Sequence, residues 1–254
     1  TGGFPLSAYS GYSVDQSRCW LFISGLAFPS LGGAGDPAAD WTASAARAGR
    51  FNGKRLHIMD REKPNIVLIL ADDMGYGDLS CLNPGANFQT PNMDRVAAEG
   101  MTFTDCHSNS AVCTPTRYGI LTGRYCWRTR LRQGVLWGYD PPLIDEQRLT
   151  LPKFLRREGY RTACVGKWHL GMEWSTNGGQ EPERNGWNVD YAAGVAGGPT
   201  TRGFDYYFGI SASNNMPPYC FIENDEVVGS PTQRKDPIHD AQHDCPMVPG
   251  WRDE

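Results

Sequence analysis

The sequence predicts an α/β fold, a sheet with helices packed on its faces, and three observations predict it. Residues 66–71 form an unbroken branched-apolar run, IVLILA, bounded by Pro64 and by Asp72 and Asp73, the pattern of a strand buried on both faces. Two later segments carry helix start and stop signals: Thr90 with Pro91 ahead of Gly100, and Thr150 with Pro152 ahead of Gly159. Strand patterns return after each of them, and such alternation builds sheets whose ligand sites collect beyond the carboxyl ends of the strands. The 254 residues, 40% of them hydrophobic, suffice for one large domain or two modest ones.

In chain order, residues 1–58 are rich in Gly, Ala and Ser, lack sustained periodicity and end in FNGKRLHI before Met59. They read as a non-native or unstructured extension, with the natural protein expected to begin at Met59. Residues 66–71 are expected to be a central strand. The apolar stripe of Met93, Val96 and Ala97 places a helix over Pro91–Glu99, and residues 101–104 can return as a strand. Residues 117–121 read as the opening of a short helix closed near Gly123, which puts Cys113 at or just before a helix N-terminus. Leu151, Phe154 and Leu155 stripe the next helix, and residues 160–165 lead as a strand into Lys167. Tyr206–Ile210 is a further strand, and residues 220–223 and 226–228 pair as a hairpin around Asn224 and Asp225.

Composition excludes several classes. The net charge of −4 is scattered along the chain, so neither a nucleic-acid partner nor an anionic membrane surface is expected. No apolar run reaches the ~18 residues that span a bilayer. The segment 20–32 has the length of a signal-peptide core, but only Arg18 precedes it as a cation, so a cleaved signal is not the expected reading. The eight cysteines include no C-x-x-C pair, and there is no N-x-[ST] acceptor. His239, His243 and Cys245 fall in a polar, Pro-bounded stretch and are read as solvated loop rather than as a metal cluster.

The chemistry-bearing residues lie between the elements. Asp72 and Asp73 leave the end of a strand, where hard oxygen ligands can gather Ca²⁺ or Mg²⁺, or where they simply cap a turn. Two neighbouring carboxylates repel unless a cation or proton intervenes, which favours the metal. Cys113 could be core filler, a disulfide partner or a nucleophile, and a helix N-terminus with Arg117 one turn on would make its thiol reactive. Lys167 and His169 follow a strand two residues apart, so on an extended segment both side chains point the same way.

Together, Asp72-Asp73, Cys113-Thr114-Pro115-Thr116-Arg117 with LTGR at 121–124, and GKWHLG around Lys167 and His169 resemble the type I sulfatases of the alkaline phosphatase superfamily. That resemblance implies an alkaline phosphatase-like central mixed sheet with helices on both faces, and a hydrolase releasing inorganic sulfate from a carbohydrate or aryl sulfate ester. It implies that Cys113 is oxidised to formylglycine by a formylglycine-generating enzyme. Catalytic roles then fall to residue 113 and to Arg117, Lys167 and His169, with Lys167 on the sulfate oxygens and His169 as base for sulfate release. Asp72, Asp73 and residue 113 would bind Ca²⁺, or Mg²⁺.

The match runs from about Pro64 onward, and two family features are missing. No Asp-Asn pair or late Lys follows Gly229, and SASNNMPPY at 211–219 lacks the family's leaving-group His. Residues 59–254 are therefore expected to be the N-terminal portion of a sulfatase catalytic domain, its C-terminal part missing and inactive alone. The protein is cytoplasmic if Met59 is the start and otherwise periplasmic or secreted. A phosphonate or phosphate monoester hydrolase of the same superfamily is the rival enzyme, and a non-catalytic sulfatase-like binding module is the rival class.

Overall fold

The structure, a computed structural model, describes residues 63–235 together with the backbone of 21–24 and 250–252. It falls into two compact units, one including Cys19–Cys106 and the other including His107–Glu254. The rest of the 1–58 extension, Met59, and His239, His243 and Cys245 lie outside the described residues.

In the first unit, β1 (Leu21–Ser24) pairs antiparallel with β2 (Val67–Leu70), Leu21 opposite Leu70. The apolar run is a strand, as its branched side chains dictate, but it is not buried: Val67 is 57% and Ile69 60% exposed. Among the described residues its one partner is β1, so the central-strand expectation is corrected to a strand of a two-stranded ribbon. Branched-apolar composition sets the backbone; what covers the faces is a separate matter. Asp72 and Asp73 emerge from its carboxyl end into an exposed turn.

Helix α1 has the expected bounds, Pro91–Glu99, with Met93, Val96 and Ala97 on its less exposed side. Thr90 does not cap it through its side chain. Its hydroxyl instead donates to Asp94 Oδ1 at 2.7 Å, while Ser80 donates to Asp94 Oδ2 at 2.5 Å. Those hydroxyls, Ser80 first, hold the Asp94 carboxyl below the usual carboxylate range. Residues 101–104 form no strand, and Met101 (74%) and Phe103 (52%) are exposed: apolar alternation without a neighbouring edge makes no ladder.

The second unit carries α2 (Cys113–Thr122), α3 (Leu151–Arg157) and β3 (Ala163–Lys167). Next come the short strands β4 (Glu173–Trp174) and β5 (Val195–Ala196), then β6 (Tyr206–Ile210), β7 (Ile222–Glu223) and β8 (Glu226–Val227). The sheet order is β3-β6-β7-β8. β3 and β6 run parallel, with Lys167 opposite Ile210, and β6, β7 and β8 continue antiparallel. It is the mixed sheet of an α/β fold. The hairpin turns at Asn224, whose φ of 55° suits an Asn.

Thr150 caps α3 by accepting from Lys153 N at 3.3 Å. The buried residue of α3 is Pro152, whereas Leu151 and Phe154 are 40% and 48% exposed, so the apolar stripe seen in sequence is only partly used. The core lies instead under Tyr118, Ile144, Trp168, Leu170, Met172 and Tyr207, each at most 4% exposed.

Candidate active site

Two elements of the second unit bring three of the sequence-predicted residues together: Cys113, Arg117 and Lys167. Helix α2 starts on Cys113 because Val112 is extended, with ψ 160°, and Pro115 stands in the first turn, where a missing N–H costs nothing. It ends where Gly123 turns left-handed, φ 66°, and its N–H bonds Gly119 O. The loop ahead of the helix is stapled to it: Thr116 donates its hydroxyl to Ser110 O at 2.8 Å, and Asn109 Nδ2 donates to Pro115 O at 2.7 Å. Gly119 makes room, since a Cβ there would sit 2.3 Å from the Asn109 amide. Cys113 thus stands at the positive end of a ten-residue helix.

Strand β3 delivers Lys167 as its last residue. Lys167 Nζ lies 3.0 Å from Cys113 Sγ, across 54 residues of sequence. Arg117, one turn along α2, donates through Nη1 to the Lys167 carbonyl. The Lys167 ammonium and the helix N-terminus therefore meet at one sulfur atom, and Arg117 braces the backbone of that lysine. On β3, burial pushes the Cys164 thiol up to about 11 against the opposing pull of Arg117, which makes it a poor nucleophile.

His169 departs from the extended geometry expected of it. The strand ends at Lys167 and His169 takes a left-handed φ of 58°, so the extended segment that would align the two side chains stops short of His169. Its backbone N–H donates to Ser211 O at 2.9 Å. The ring, in a residue only 1% exposed, holds Leu136 O at 2.7 Å through Nε2. Thr114, fully buried, bonds both His169 O at 2.9 Å and Leu136 N at 3.1 Å. Sequence reasoning passed over Thr114 and Leu136. The hydroxyl was hidden inside the motif's variable position, and a backbone carbonyl has no sequence signal at all.

The metal expectation rests on Asp72 and Asp73. Ca²⁺ takes about 6–8 oxygen ligands, and Asp72 and Asp73 supply two carboxylates on an exposed turn of the first unit. Among the described residues no group of three or more His, Cys, Asp or Glu side chains converges to hold an ion. The residues present do not fit a complete metal site.

The family model described as Sulfatase matches residues 64–244. The chain is 40% identical over 168 residues to an N-acetylgalactosamine-6-O-sulfatase of Bacteroides thetaiotaomicron, covering 66% of this chain and 30% of that protein. It is 37% identical over 205 residues to Arylsulfatase G of Homo sapiens, covering 78% of this chain and 31% of the relative. A solved Bacteroides thetaiotaomicron structure, from work on the metabolism of multiple glycosaminoglycans, is similar at a TM-score of 0.53 and 38% identity, over 62% of this chain and 30% of that one. The chain spans about 30% of the length of these relatives.

Proposed function

The chain belongs to the sulfatase family, and from that premise we propose that the whole protein hydrolyses sulfate esters at a site in which residue 113 is the nucleophile and Lys167 the sulfate-contacting cation. The observation that carries this is the 3.0 Å approach of Lys167 Nζ to Cys113 Sγ at the start of α2. Sγ stands where an oxygen on the same Cβ would stand after conversion. Formylglycine there, made by a formylglycine-generating enzyme, supplies a hydrated aldehyde with one hydroxyl to attack sulfur and a second to let sulfate go.

The chain's own residues supply the rest. The Lys167 ammonium meets the sulfate oxygens, and the helix N-terminus adds partial positive charge from the same side. Arg117 ties the Lys167 carbonyl to α2, so nucleophile and cation are held against each other. His169 serves as the base for sulfate release. Asp72 and Asp73 are two proposed ligands of a Ca²⁺ or Mg²⁺ ion, and no step is routed through that ion. The N-acetylgalactosamine-6-O-sulfatase relative supports a sulfated glycan as substrate.

The test is hydrolysis of an aryl sulfate against an aryl phosphonate by the whole, converted protein, with Cys113→Ala as the blank. Preference for the sulfate supports the proposal. A large preference for the phosphonate overturns it in favour of the rival hydrolase, and no turnover of either overturns it in favour of a binding module.

A further inference from the structure

We propose that Thr114, the residue after the nucleophile, is a positioning residue that fixes His169 in the Nε2–H tautomer. Its hydroxyl has one proton. The His169 carbonyl, 2.9 Å away, can only accept, so that proton points to it, and the Leu136 N–H at 3.1 Å donates to one of the hydroxyl's two lone pairs. Leu136 is thereby held by its N–H while its carbonyl faces the imidazole at 2.7 Å. A carbonyl cannot donate, so Nε2 carries a proton, and in the neutral ring Nδ1 then holds the lone pair.

The circuit closes through two residues: Thr114 to the His169 backbone, and Thr114 through Leu136 to the His169 ring. All three are buried, at 0%, 4% and 1% exposure, where water offers no substitute partner and the bonds set the geometry. The left-handed backbone of His169 is pinned from both sides, its N–H on Ser211 O and its carbonyl on the Thr114 hydroxyl. Because Thr114 and Cys113 are consecutive in the first turn of α2, one rigid element places both the nucleophile and the ring. The catalytic meaning of this device rests on the reading of His169 as base, for which the nitrogen bearing the lone pair decides function.

The experiment is a long-range ¹H–¹⁵N correlation spectrum of the histidine-labelled 254-residue chain at a pH where His169 is neutral, its signal assigned by loss in His169→Gln. The wild type should give a single Nε2–H tautomer. Thr114→Val, of similar size but without the hydroxyl, should give a mixture of tautomers, and Thr114→Ser should restore the single form. An Nδ1–H ring in the wild type, or an unchanged ring in Thr114→Val, overturns the proposal. Should the Val variant not fold, Thr114→Ser carries the test, because a folded Ser variant with mixed tautomers also overturns it. The readout needs no turnover, so failure of the sulfatase reading leaves this spectrum intact and is seen separately.

Discussion

Gly209→Ala tests how the sheet positions the site. Gly209 of β6 faces Gly166 of β3 in the parallel pair, and a Cβ at 209 would lie 1.8 Å from the Gly166 carbonyl oxygen and 2.6 Å from its carbon. Backbone cannot swing aside as a side-chain tip can. Reaching ordinary contact requires the strands to part by about 1.5 Å, which overpacking precedents put at ~3 kcal/mol. At roughly 2–4 °C per kcal/mol for a protein of this size, the Tm should fall by about 6–12 °C. The next residue along β3 is Lys167, whose 3.0 Å contact with Cys113 would not survive such a displacement. Gly198→Ala is the control, since its Cβ would meet Met172 Cε at 3.6 Å, and its Tm should stay within about 2 °C of wild type. Thermal unfolding followed by near-UV circular dichroism decides the matter: equal Tm values for the two variants would refute the reasoning.

Further expectations follow from other contacts. The Thr162 amide, 2.8 Å from Asp205 Oδ2, is the main cause holding the Asp205 carboxyl below its ordinary range, helped by the Thr162 hydroxyl and Arg156. Its stabilisation is present above the unfolded carboxylate pKa and lost as pH falls through the folded value. The Tm gap between wild type and Asp205→Asn should therefore close as pH drops from 7 to 3, and a gap independent of pH would contradict this. With two carboxylates and no third His, Cys, Asp or Glu side chain converging on them among the described residues, a 1 mM calcium addition should shift the Tm of the 254-residue chain by less than ~1 °C, since occupancy well below Kd adds under ~0.1 kcal/mol. A shift of several degrees would reveal a complete site. For the same reason aryl sulfate turnover by the converted 254-residue chain should not exceed the Cys113→Ala background.

Elements bounded by strong punctuation were legible: Pro91–Glu99 between Thr-Pro and Gly, Tyr206–Ile210 after Gly203, and the hairpin around Asn224. Helix α2 began four residues ahead of Arg117, at Cys113, because Pro115 is permissible in a first turn and only breaks a helix interior. The burial of residues 66–71 was not legible, since an apolar run specifies a strand without specifying its neighbours. Nor was the turn at His169, where a non-glycine residue adopts positive φ while accepting a hydrogen bond from a residue 55 positions earlier and donating one to a residue 42 later. Sequence placed Cys113, Arg117, Lys167 and His169 in motifs, and spacing carried no word of Thr114 as the hinge between them.

The most direct test of the central claim is the mass of the tryptic peptide containing Cys113 after co-expression with a formylglycine-generating enzyme. Loss of the thiol sulfur and gain of one oxygen is the predicted result, and it would establish residue 113 as the aldehyde nucleophile beside Lys167. An unmodified thiol, with the modifying enzyme active on a control peptide, would contradict the account and leave Cys113 a structural residue of a non-catalytic relative.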